Sequence, residues 1–524
     1  MGDALSHQEV ELEILRLMLV AAAEQMGHTL ARTGHSTNIK ERRDFSCALF
    51  TAEGALLSQA AHVPVHLGSM PASVAAAMER LTIEPGDIVL LNDPYAGGTH
   101  LPDITMISPI CVDGRVVALV CNRAHHADVG GLTSGSMPMS TSIFHEGLRI
   151  PPVKWYARGV ENEAVTVMIS ANVRTPAERL GDLRAQRAAN AVGERALLEL
   201  IARYGEERLR TLGDALLDYG ERVMGHTLRD IPDGEYRFDD VMDSDGAGGS
   251  AIPLSVTIHV IGDRVRVDFS GTSPAVSGCI NCPAAVTRSA VYYVFAALAG
   301  DRLPNNAGAF RPIDVRIPDD CLLNARFPSA VVAGNVETSQ RVVDLVLGAL
   351  AQAAPDRVCA AGAGTMSSLT LGGVDPRTGK RFTYYETIGG GMGATLGGPG
   401  ESAVQTHMTN TMNTPVEALE MSYPMRVVNY RVVAGSGGDG QHAGGNGIFR
   451  EIEALADMDG ALLAERHVSR PWGLAGGLAG MSGSAAIVDA DGSVSPIPPK
   501  TSLRLMAGQR LRVTTPGGGG AGRR

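Results

Sequence analysis

The pair Asp113-Gly114, set between the apolar runs Ile104 to Cys111 and Arg115 to Asn122, restricts the fold of this chain more than any other feature. Asp-Gly favours the left-handed backbone of a tight hairpin turn, so the two runs are predicted to form one antiparallel ladder. At its open end stand Asn92-Asp93-Pro94-Tyr95-Ala96-Gly97-Gly98-Thr99-His100-Leu101-Pro102-Asp103 on one arm and Ala124-His125-His126-Ala127-Asp128 on the other. A hairpin centred near residue 113 brings Asp103 opposite positions 123–125, so His100, Asp103 and His125 can meet. Register decides whether they do. A two-residue loop pairs Val112 with Arg115 and puts Asp103 and His125 on opposite faces. A three-residue loop with a glycine bulge pairs Cys111 with Arg115 and puts them on one face. We expect the second arrangement or an equivalent bulge.

Histidine and aspartate with no cysteine nearby suit a borderline or hard divalent cation, Zn²⁺, Mn²⁺ or Fe²⁺. Three protein ligands leave coordination positions open, as a catalytic site requires. Asp93, Asp128 and His126 are the candidates for supporting or replacing these ligands. His62 and His66 lie four apart, but Pro64 between them argues against a helix, so His66 is expected to line the pocket rather than to bind.

A chain of 524 residues exceeds one core and should divide into three or four packed units. The fold class expected is α+β (mixed α/β), a multi-lobed single chain. Residues 1–175 form an N-terminal α/β metal-binding unit, opened by a helix over 8–31. Residues 176–230 hold a helical pair, which Thr175-Pro176-Ala177-Glu178 starts with a capping box. The polar stretch Asp182, Arg184, Gln186, Arg187 and Asn190 within that pair reads as a solvated face or, alternatively, a subunit contact. Alternating residues such as Val265-Arg266-Val267-Asp268-Phe269 mark 231–275 as an antiparallel β unit. Residues 276–424 read as a mixed α/β unit and 425–524 as a β-rich unit, with a flexible glycine-rich tail from Pro516.

Composition narrows the function. Aromatic residues at 4% and a net charge of −11 disfavour a nucleic-acid partner. Seven scattered cysteines do not make a disulfide framework, and the lone pair Cys279 and Cys282 is weak evidence for zinc. No run of 18 apolar residues and no signal-peptide pattern occurs, so a cytoplasmic protein with no membrane partner is expected. No GxxxxGK[ST], GxGxxG or GxSxG stands in a usable context, so any ATP that the chemistry needs would be bound by another chain.

The run Asn92 to Asp103 resembles the hallmark of the hydantoinase B/oxoprolinase family, which includes N-methylhydantoinase B subunits and is related to acetone and acetophenone carboxylase subunits. The likeness extends through Asn38 to Ser46, His62 to Pro71, Ala124 to Gly131, Gly181 to Gln186, Asn281-Cys282-Pro283 and Ser436-Gly437-Gly438. The resemblance implies the B component of an ATP-dependent hydrolase of cyclic amides (EC 3.5.2 type) in a hetero-oligomer. A hydantoinase A-type ATPase partner would phosphorylate a small cyclic amide, which a metal-activated water then attacks. It implies His100, Asp103 and His125 as metal ligands, with His126, Asp128 or Glu146 as general base. The alternatives are a subunit of an ATP-dependent ketone carboxylase, and a non-catalytic scaffold whose metal is structural.

Overall fold

The computed structural model describes residues 7–60 and 62–524. Helix α1 (His7–Thr33) carries the expected stripe, with Leu15, Leu19, Ala22, Met26 and Leu30 buried at spacings of three and four. The short α2 (Thr37–Lys40), capped by Ser36, leads into strands β1 (Phe45–Thr51) and β2 (Leu56–Gln59). Helix α3 (His66–Arg80) starts at His66, just beyond the proline that separates the two histidines. Strands β3 (Ile88–Leu91), β4 (Asp103–Val112), β5 (Arg115–His125), β6 (Val153–Ala157) and β7 (Val160–Glu161) complete a seven-stranded antiparallel sheet, ordered β2-β1-β5-β4-β3-β6-β7. The predicted hairpin is its centre.

The turn itself has two residues. Val112 pairs with Arg115, and Asp113 and Gly114 take positive φ of 49° and 77°. The three-residue loop is therefore not formed. Instead the register shifts between Ile110 and Cys111, with Val117 as the extra residue, and Asp103 stands directly opposite His125. A bulge inside the ladder moves the two side chains to one face, as the expected loop would have done.

Helix α4 (Glu163–Asn172), not foreseen from sequence, precedes α5 (Pro176–Tyr204) and α6 (Glu206–Arg229), the expected helical pair. The capping box is absent: Thr175 makes no side-chain cap bond, and Glu178 pairs with Arg179. Helices α1 and α5 bury Leu30, Ala185, Ala189 and Leu197 against Phe45, Leu49 and Val120 of the sheet.

Strands β8 (Gly234–Ser244), β9 (Ser250–Ile261) and β10 (Arg264–Asp268) are antiparallel, as their alternation dictates. Beyond α7 (Ala284–Ala299), β11 (Ile313–Arg316) joins β10 in parallel, so this sheet continues past residue 275. Helix α8 (Ser339–Leu350) follows a π-helical turn, Gly334–Thr338, and is buried on every side. The rest comprises β12 (Ser368–Asp375), β13 (Lys380–Glu386), α9 (Val416–Ser422), β14 (Met425–Val432), β15 (Ile448–Ala454) and β16 (Met458–Leu463). Then come β17 (Ser484–Val488), β18 (Val494–Ile497), β19 (Lys500–Leu505) and β20 (Arg510–Thr514). They form two sheets, β13-β12-β16-β19 and β14-β15-β20-β17-β18. The boundary expected at 425 thus runs through a sheet.

The tail from Pro516 to Gly522 is buried, against the expectation of a flexible end. Its glycines pack backbone to backbone: a Cβ on Gly518 would lie 2.0 Å from the Met392 carbonyl oxygen. The N–H groups of Gly518, Gly519 and Ala521 donate to Gly445, Ala361 and His442. Glycine is rich here because loops touch without intervening side chains. No helix among the described residues is long and apolar enough to cross a membrane.

Candidate metal centre

The loop ahead of β4 is fixed by its own polar side chains. Asn92 donates to the carbonyls of Leu101 and Leu148 at 2.7 and 2.9 Å and accepts from the Ile150 N–H at 2.6 Å. Asp93 caps the 3-10 turn Pro94–Ala96 and pairs with Arg149 at 3.0 Å. Gly97, at φ 81°, lies so close to α3 that a Cβ would stand 2.3 Å from the Ala72 carbonyl carbon. Only glycine permits that approach.

From this frame His100, Asp103 and His125 converge, all buried. His100 Nε2 lies 3.2 Å from His125 Nδ1 and 3.3 Å from Asp103 Oδ1, which is itself 3.3 Å from His125 Nδ1. Tetrahedral bonds of about 2.1 Å to a first-row cation would set donors about 3.4 Å apart, so the triangle fits such an ion. Each donor is held from behind. The Thr99 hydroxyl donates to Asp103 Oδ2, and His66 Nε2 lies 3.3 Å from the same oxygen. His100 Nδ1 donates to the Val332 carbonyl at 3.2 Å, which leaves Nε2 free to bind. The His125 N–H donates to the Asp44 carbonyl at 2.9 Å, and its ring stacks on Tyr385 at 4.3 Å.

At Asp103 and His125 the protonation states suit ligands. Burial opposes ionisation of Asp103, but the neighbouring charge of His100 and hydrogen bonds from the three histidines hold its carboxyl well below the usual range. Burial pushes His125 and His66 down, favouring neutral imidazoles against the pull of Asp103. His100 alone is raised: burial pushes it down, but the charge and hydrogen bond of Asp103, with the Val332 carbonyl and Asp44, together outweigh that.

None of the three candidate bases reaches the triangle. His126 comes directly after the last residue of β5 and faces the other way, its Nε2 meeting Gln186 Oε1 at 2.9 Å. Burial lowers it to about 4. Asp128 is tied to the Arg174 side chain and N–H at 2.7 and 2.6 Å. Glu146, raised by burial to about 7, accepts from Ser140 and from the N–H groups of Val331 and Val332 at 2.7, 2.8 and 3.1 Å. It therefore positions His100 through the Val332 carbonyl. Asp93 serves the loop rather than the triangle.

Sequence reasoning passed over Asp44, whose buried carboxyl lines the same cleft, and Asn335, whose Nδ2 is 3.2 Å from His100 Nε2. It did place His66 at the pocket wall. The cleft opens beside a cavity of about 780 Å³, with Thr409 and Thr411 lining both. That volume is within the range of small-molecule sites.

Comparison with known proteins identifies the scaffold. The profile of the Hydantoinase B/oxoprolinase family matches residues 8–524. 5-Oxoprolinase 1 of Arabidopsis thaliana is 40% identical over 98% of this chain, which spans 42% of that longer protein. A Pseudomonas sp. protein described as the putative B component of a D-/L-hydantoinase is 32% identical, with 98% of this chain and 90% of that protein covered. The structure of an ATP-dependent caprolactamase from Pseudomonas jessenii superposes with a TM-score of 0.91 at 30% identity, covering 99% of this chain and 92% of that one. The hairpin and its preceding loop, which bring the histidine-aspartate triangle together, therefore sit in a recognised scaffold: the chain belongs to the hydantoinase B/oxoprolinase family.

Proposed function

We propose that this chain is the metal-dependent B component of an ATP-dependent cyclic-amide hydrolase, acting on a hydantoin, 5-oxoproline or related lactam. The substrate oxygen is first phosphorylated in an A-type ATPase partner. The observation that carries this reading is the triangle of His100, Asp103 and His125, with donors about 3.3 Å apart at a cleft beside a cavity. His100, Asp103 and His125 would hold a divalent cation, which would supply Lewis acidity when bound. Asp103 and His125 already hold the ionised and neutral states that ligands need. Val63, Val65, Val336 and Met366 give the cleft an apolar wall that limits competing water. Glu146 and Val332 keep His100 in its binding orientation. The description of the bacterial relative as one component of an enzyme, and the two-fifths share of the plant protein's length that this chain spans, favour a chain that works beside another.

The test is to co-express the chain with a neighbouring A-type ATPase and measure bound metal and lactam-dependent ATP hydrolysis. One metal per chain and lactam-dependent turnover without bicarbonate are expected. A bicarbonate requirement would reassign the chain to a ketone carboxylase. Normal turnover in His100→Ala would reduce the metal to a structural role.

A further inference from the structure

Three hydroxyls, those of Thr387, Thr409 and Thr411, line the same cleft as Asp103 and His125, and two of them also border the large cavity. Their hydrogen bonds have a direction. The buried Arg42 donates from Nη2 to Thr387 Oγ1 at 2.9 Å and to Thr411 Oγ1 at 3.3 Å. Gln405 Nε2 also donates to Thr387 Oγ1 at 3.3 Å. It donates to the Thr387 carbonyl as well, which can only accept, and this fixes the amide's orientation. A hydroxyl has one proton and two lone pairs. Both lone pairs of Thr387 are engaged, so its proton passes to Thr411 at 2.9 Å. Thr411 then accepts from Arg42 and Thr387 and turns its own proton towards Thr409 at 3.4 Å. Among the described residues, the Thr409 hydroxyl has no other acceptor, so its proton is left for the cleft.

The result is a one-way relay that starts at a guanidinium and ends in a free donor at the neck between cavity and metal triangle. Such a donor is worth most to an anionic oxygen. Asp44 and Asp103 oppose an anion here, but a divalent cation in the triangle offsets them. We infer that Thr409 and Thr411, polarised by Arg42, form the subsite for the phosphoryl group of the activated substrate and for the phosphate it releases. This assignment rests on the functional reading above. The substrate would lie with its phosphorylated end at the neck and its ring in the cavity.

The test uses the full chain loaded with Mn²⁺ and inorganic phosphate as probe, read by Mn²⁺-induced ³¹P relaxation. Thr409→Val and Thr411→Val should keep Mn²⁺ affinity but weaken phosphate about tenfold, the loss of one charge-assisted hydrogen bond. Thr409→Ser should restore it. Unchanged phosphate affinity in both valine variants, with Mn²⁺ bound, would overturn the subsite alone. Acetate that competes as well as phosphate would make it a carboxylate site and overturn the assignment. Mn²⁺ binding that is absent, or indifferent to His100→Ala, would overturn the functional reading and the subsite with it.

Discussion

Strand β5 has two polar faces, and they do opposite things. Towards α5 it turns Asn122, which with His126, the residue just after the strand, meets Gln186 and Asn190 in a seam of interlocking bonds. Gln186 donates to the Ile104 carbonyl at 2.9 Å and to Asn122 at 2.8 Å and accepts from His126; Asn190 bonds Asn122 and Ser108 at 2.7 and 3.0 Å. Towards the cleft it turns His125, whose Nε2 has no partner among the described residues and whose Nδ1 shares the triangle. Both faces are buried. The difference is that the seam's groups bond one another pairwise, with only His126 Nδ1 left over, whereas the cleft's lone pairs converge on one point. Convergence, rather than polarity, separates a site from a structural network.

His125→Ala should break this contrast most severely, with loss of bound metal and a fall in turnover of at least ~100-fold while the fold persists. His126→Ala should keep its metal; metal analysis of the pair gives the answer. Next in size, Gln186→Leu would remove the side-chain partner of Asn122 Oδ1, His126 Nε2 and the Ile104 carbonyl. A cost of roughly 3–4 kcal/mol in denaturant unfolding is expected, with metal affinity unchanged.

Glu146, behind the cleft face, should show itself through pH. Its carboxyl is raised from 4.5 to about 7, chiefly by burial, so the folded state holds that proton more tightly than the unfolded chain. The associated stability is complete below pH 4.5 and disappears as pH climbs through 7, a change of about 3 kcal/mol. Glu146→Gln should flatten the unfolding profile across that window; an unaltered profile would exclude Glu146 as its source. The smallest effect is expected at Arg184, exposed on α5 between the seam residues. Arg184→Ala should change stability by under ~0.5 kcal/mol.

The hairpin was legible because Asp-Gly turn chemistry is local, and with it came the triangle of His100, Asp103 and His125. The bulge at Val117 was foreseen only as a need, since no residue type announces it. Strand alternation alone could have excluded His126 as a partner of His125. The solvated-face reading of Asp182, Gln186 and Asn190 failed because these residues, four apart, are buried and bonded to strands and a loop far away in sequence. Asp44, Asn335 and Thr409 were illegible for the same reason: the fold brings them to the cleft from separate segments with no shared local pattern. The tail from Pro516 was misread because glycine signals freedom locally, while partners such as Ala361 lie far earlier in the chain.

That tail also bears on timing. Gly391 and Ala394 donate to the carbonyls of Pro516 and Gly519, and Met392 between them lines the large cavity. The cavity wall therefore lacks its backing until residues 516–519 exist. During synthesis the hairpin that carries Asp103 and His125 can form early, but the chamber beside it must wait. A chain interrupted before residue 516 would carry the metal donors yet have no finished room for a substrate.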